Sequence, residues 1–115
     1  MDKLKNEEQL AALLSDAPVA LVQYGAETCG PCKAISAKIT QWAADHPAVQ
    51  CIYVPVEQFP QLAAAESIFT VPAVLVYVQG RLTLREIGYF GLGDLLARAQ
   101  RYLELLGAEA PAEAL

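Results

Sequence analysis

The chain has 115 residues, 55% of them hydrophobic, which is enough for one domain around one core and too little for two. A formal charge of −5 excludes a nucleic-acid binder, since no basic stripe is present to displace counterions. The longest apolar runs, "VALV" from Val19 and "AVLVYV" from Ala73, are strand-sized and far short of a membrane span. The start, "MDKLKNEEQL", leads into Asn-Glu-Glu-Gln instead of an apolar leader, so a cytoplasmic protein without membrane attachment is expected.

Asn6 followed by Gln9 reads as a capping box, and Leu10, Leu13 and Leu14 then make one apolar helix face. Ser15 to Pro18 closes that helix. Val19 to Tyr24 is short and almost continuously apolar, as expected of a strand covered on both faces. A second helix begins at the cysteine pair and runs to about Asp45, with Ile35, Ile39, Trp42 and Ala43 on its apolar side. His46, just after it, reads as a solvated cap residue. Val49 to Val56 is the next strand, and Pro60 opens a short third helix. Two β-rich runs then flank Gln79-Gly80-Arg81 and make a hairpin. Leu92, Leu95, Leu96, Ala99, Leu103 and Leu106 line one face of a final helix, which Gly107 ends. Residues 1–107 thus form one domain, and 108–115 read as a flexible tail. The first two strands, joined by a helix, are parallel. The hairpin adds antiparallel strands, and helices on both sides complete a three-layer α/β domain.

"AETCGPCKAI", Ala26 to Ile35, holds two of the three cysteines, spaced by glycine and proline. As a staple, a bridge across so small a loop is worth only about 2 kcal/mol by the chain-entropy argument. A zinc site needs a second pair of ligands, and only Cys51 and His46 remain, neither in a pair. A cluster shared between two chains stays open. The redox reading has a mechanism. Cys29 stands at a helix start, where unpaired N–H groups and the helix dipole favour a thiolate. Cys32, one turn on, can attack a mixed disulfide formed at Cys29. Gly30 allows close approach, and Pro31 costs no needed N–H in a first turn. Cys51 reads as an inert thiol buried in a central strand.

With these residues in order, "VALVQYGAETCGPCKAI", "TVPAVLVYVQGRLTLREIG" and the C-terminal amphipathic helix, the chain resembles the thioredoxin family from about Val19 to Leu106. That resemblance implies a thioredoxin fold with a central mixed four-stranded sheet, lacking the family's N-terminal strand. It also implies a thiol–disulfide oxidoreductase that needs no cofactor and no metal. Its partners would be disulfide-containing client proteins and an electron donor such as a disulfide reductase. In the family the Val71-Pro72 bond is cis, and Pro72 lies against the cysteines. Thr70 and Val71 then offer backbone to an extended client segment, Gly88 leaves room beside it, and Thr28 touches it. Five positions depart from the family. Thr28 and Gly25 stand where it has tryptophan, Gln23 where it has a buried aspartate, Tyr53 where it has that aspartate's lysine, and Ala37 where it has a kinking proline. Replacing an acid and a base together removes two charges from the interior. These losses give a second reading, a docking module that keeps the fold with little redox activity. Trp42 reads as core, and Tyr89-Phe90 either as aromatic surface or as a loop anchor.

Overall fold

Every residue of β1 (Val19–Gly25) is buried, because this strand has neighbours along both edges and helices over both faces. The structure, a computed structural model, describes residues 1–108. On one side β1 runs parallel to β2 (Val49–Pro55), with Val19 opposite Val49. On the other it runs antiparallel to β3 (Ala73–Val78), with Val19 opposite Val78. β4 (Arg81–Ile87) completes the sheet in the order β2-β1-β3-β4. The helices are α1 (Glu7–Asp16), α2 (Gly30–Ala44), α3 (Pro60–Ala65) and α4 (Leu92–Leu105). This is the expected element order and the expected mixed sheet.

Strand side chains alternate between faces, and the core divides accordingly. Val22, Tyr24, Leu75 and Tyr77 pack with Leu10 of α1 and Ala63 of α3. Val19, Leu21, Val74 and Val76 pack with Ile39 of α2 and with Leu95, Leu96 and Leu103 of α4. Burying each such side chain contributes about 1.5–3 kcal/mol, so two contiguous clusters suffice for three stable layers.

Local signals formed as read. Asn6 Oδ1 accepts the Gln9 N–H at 2.8 Å, and Gln9 Oε1 reaches back to the Lys5 N–H at 2.7 Å. Gln79 and Gly80 both have positive φ (52° and 80°), the two-residue turn whose twist matches a hairpin. Gly107, with φ 66°, ends α4. The expected tail falls outside the described residues apart from Ala108, whose N–H bonds Leu103 O at 2.9 Å.

Three expectations are corrected. β2 is an edge strand, so Cys51 is half-buried and not central. His46 is buried, with its ring 4.5 Å from that of Trp42, because the chain turns under α2 to enter β2. Leu106 caps α4 and is exposed, one residue past the end of the helix. Among the described residues no fifth strand forms. In its place Lys3 makes a single parallel bridge to Tyr53, with Leu4 N–H on Tyr53 O at 2.7 Å and Tyr53 N–H on Asp2 O at 2.9 Å.

Candidate active site

β1 delivers the chain to the cysteine pair. Its last residue, Gly25, is followed by a short turn, and Cys29 then serves as the N-cap of α2. The Cys32 N–H donates to Cys29 Sγ at 3.2 Å, so the first sulfur occupies the position a capping oxygen usually takes. Cys29 and Cys32 are joined as a disulfide with Cα atoms 5.3 Å apart. Their exposure differs: Cys29 is partly exposed and Cys32 is 1% exposed. Pro31 lies in the first turn of α2, where its missing N–H has no role. Gly30 is exposed, and a Cβ there meets nothing within 4 Å, so no contact inside the protein demands glycine at that position.

Beneath the pair lies Gln23, fully buried. Its Nε2 donates to Cys32 O at 2.9 Å, while Oε1 has no hydrogen-bond partner among the described residues. Tyr53 is its strand partner on β2. A Cβ built on Gly25 comes within 2.8 Å of the Tyr53 ring carbons. The tyrosine ring therefore lies across Gly25, so two of the departures in sequence (Gly25 and Tyr53) are one packing arrangement, with Gln23 beside them in the strand register. Sequence reasoning paired Gln23 with Tyr53 and noted Gly25 as a departure, but did not join Gly25 to Tyr53; the signal was a glycine at the end of an otherwise apolar strand.

A cavity of about 610 Å³ opens beside Cys32, between Glu27, Lys33, Ala37, Tyr53 and Glu57. Glu57 accepts the Glu27 N–H at 3.0 Å, and this hydrogen bond holds its carboxyl below the usual range. Burial, then the charges of Glu57 and Glu27, push the Tyr53 hydroxyl up.

Val71-Pro72 is cis, as expected. Tyr24 at the end of β1 faces Ala73, so this bond stands where β1 leaves the sheet for the cysteines. Gly88 N–H donates to Pro72 O at 2.8 Å, tying the end of β4 to the same place. Gly88 has φ 83°, a conformation that requires glycine, and the space beside it is open. Thr28 and Thr70 are exposed and Val71 is half-buried. Among the described residues Thr70 and Val71 make no backbone–backbone hydrogen bond. Tyr89 and Phe90 divide the two roles expected of them: Tyr89 is fully exposed, and Phe90 packs on the α2/α4 core.

Cys51 stands apart from this site, and burial pushes its thiol up to about 12. Among the described residues no group of three or more His, Cys, Asp or Glu could hold a metal, and no helix is long and apolar enough to cross a membrane.

Residues 2–98 match the thioredoxin family. The chain belongs to that family. "Putative thioredoxin-5" of Dictyostelium discoideum is 36% identical over 78 residues, covering 66% of this chain and 74% of that protein. The thioredoxin of Mycoplasma pneumoniae is 28% identical over 87 residues, covering 76% of this chain and 85% of its own length. The thioredoxin of Fasciola hepatica superposes with a TM-score of 0.78 at 26% identity, over 89% of this chain and 99% of that one. This thioredoxin-family member carries its Cys29–Cys32 pair at bonding distance and is a thiol–disulfide oxidoreductase. Nothing in its geometry favours the docking-module reading, which has no use for two apposed sulfurs.

Proposed function

We propose that this oxidoreductase reduces disulfides in protein clients, with Cys29 as nucleophile and Cys32 as resolving thiol. The observation that carries the assignment is their unequal exposure, one partly exposed at the head of α2 and the other at 1%. The Cys29 thiolate, favoured by the N-terminal amides of α2, attacks one sulfur of a client disulfide. An S–S bond forms to the client, and the client's other sulfur leaves as a thiolate and takes a proton from solvent. Cys32 then gives up its proton and attacks Cys29 Sγ. The second client sulfur departs and is protonated in turn. The client has gained two electrons and two protons, and the chain holds the Cys29–Cys32 disulfide.

The neighbouring residues have defined parts in this scheme. Thr70 and Val71 present their free backbone groups to an extended client segment, with Pro72 behind them. Thr28 and Gly88 border that segment, Gly30 and Pro31 leave Cys29 open to it, and Gln23 positions Cys32 through its carbonyl. Glutamine takes no proton, so the Cys32 proton leaves through the cavity lined by Glu27, Tyr53 and Glu57. A dithiol donor such as a disulfide reductase returns the two electrons and places the chain in an electron-transport role in the cytoplasm.

Trapping tests the assignment. Cys32→Ser incubated with cell extract accumulates mixed disulfides through Cys29, and Cys29→Ser accumulates almost none. Equal trapping by the two variants would overturn the roles.

A further inference from the structure

We infer that the exposed rings of Phe69 and Tyr89, carried on the two segments that meet at Pro72 and Gly88, select clients whose cysteines are flanked by non-polar side chains in an extended segment. The inference rests on the oxidoreductase reading and names its substrate class. Single exposed apolar side chains are ordinary. These two are distinguished by place and by support. Phe69 is 84% exposed and Tyr89 fully so. The other large exposed apolar residues lie elsewhere: Leu82 beside the hairpin turn, and Leu105 and Leu106 at the far end of α4, about 20 Å of helix from its start. Phe69 precedes Pro72 by three residues and Tyr89 follows Gly88. The Gly88-to-Pro72 hydrogen bond therefore joins the two segments that carry the rings.

Both segments are anchored on their inner sides. Ile68 is buried and its N–H bonds Ala63 O at 2.8 Å. Ser67 is held at φ 58°, an unfavourable conformation for a residue with a side chain, and Arg85 Nη2 grips its carbonyl at 2.8 Å. On the other side Gly88 sits at φ 83° and Phe90 is packed into the core. The fold thus fixes the backbone just before Phe69 and on either side of Tyr89, and leaves the rings bare. A surface ordered before binding loses less entropy when a partner covers it, and aromatic anchors dominate such contacts. Thr28, the residue next to Cys29, is polar and supplies no comparable surface. The occupant follows from the unpaired Thr70–Val71 backbone between Phe69 and Pro72. A client strand pairing there passes the rings on its way to Cys29.

Two cystine peptides of equal length and charge test this, one with Leu and Phe beside its cysteines and one with Ser and Thr. Pre-reduced protein is mixed with each in single turnover, so the Cys29/Cys32 dithiol supplies the two electrons. The native protein is expected to reduce the apolar peptide about tenfold faster, equivalent to about 1.4 kcal/mol. The double variant Phe69→Ser/Tyr89→Ser brings the ratio within about twofold, each single variant lowers it about threefold, and Leu82→Ser keeps the native ratio. A native ratio near one, or a native-like ratio in the double variant, overturns the inference while leaving the redox reading intact. Should the native protein reduce neither peptide, the oxidoreductase reading falls and takes the inference with it. Sedimentation supplies the last arm: a native dimer that the double variant converts to monomer would assign the rings to a second copy of the chain and overturn the inference.

Discussion

Gln23 holds Cys32 by the backbone, not by the sulfur. Its Nε2 donates to the Cys32 carbonyl at 2.9 Å from a side chain with no exposure to solvent. That bond crosses from β1 to the first turn of α2 and fixes how the resolving cysteine sits over the sheet. The amide does this without a charge. A carboxylate at the same depth would be poorly hydrated, and Tyr53 across the strand offers no cation to offset it.

Gln23→Asp therefore acquires a pH-dependent instability. Burial raises the folded pKa of the new carboxyl above its unfolded value of about 3.9. Below that value both states hold the proton and this titration costs nothing. As pH rises toward the folded value the unfolded chain ionises first, and the variant loses stability until its folded form ionises as well. Denaturant midpoints of the two disulfide-intact proteins should diverge from about pH 4 toward neutrality. A pH-independent gap would show that position 23 is hydrated.

Gly25 and Tyr53 should be energetically coupled. A methyl group at position 25 meets the tyrosine ring at 2.8 Å, and overpacking of this kind costs about 1–3 kcal/mol. Removing the ring with Tyr53→Ala makes room, so Gly25→Ala should cost about 1 kcal/mol less in that background. Chemical denaturation of the four proteins in the cycle gives the coupling directly. Strict additivity would mean that the ring swings aside without cost in Gly25→Ala.

The three cysteines of the reduced protein should alkylate in a fixed order. Cys29 reacts first, since it is partly exposed and caps α2, where the helix N-terminus favours its thiolate. Cys32, at 1% exposure, reacts slowly. Burial pushes the Cys51 thiol up to about 12, which leaves about one molecule in ten thousand as thiolate at pH 8. Iodoacetamide labelling followed by mass spectrometry reads the order, and in denaturant all three should react alike.

Alkali should unfold the protein through buried groups outside the disulfide. Burial raises Cys51 from 9.0 and Tyr24 from 10.0, each to about 12, and raises Tyr77 further, with the Glu66 charge adding to both tyrosines. All three are acids kept protonated by the fold. Their contribution is complete below pH 9, and it is lost from there upward because the unfolded chain ionises first. Thermal midpoints should fall between pH 9 and 12, and less steeply in Tyr24→Phe.

What the sequence determined alone was everything set by neighbours along the chain. Asn6 and Gln9 cap α1 within one turn, Gln79-Gly80 closes the hairpin, and the Cys29/Cys32 pair opens α2, because caps, turns and helix starts are decided over three or four residues. The apolar periods of α2 and α4 likewise announced their buried faces, one residue too far in the case of Leu106.

Only the tertiary structure decided which strand is an edge and which side chains meet across the sheet. Cys51 belongs to an apolar run whose neighbour count depends on sheet order, and an edge strand and an inner strand can read alike along the chain. His46 follows a helix like any cap residue until the path into β2 folds it beneath Trp42. Gly25 looked like a lost tryptophan until the register set it beside the strand that carries Tyr53. Tyr89 and Phe90 are adjacent aromatics that the chain alone cannot tell apart; the turn after Gly88 sends one into the core and the other into solvent. Each of these outcomes depends on contacts between residues distant in sequence, and the free energy that selects them comes from burial and close packing, which exist only once the layers have come together.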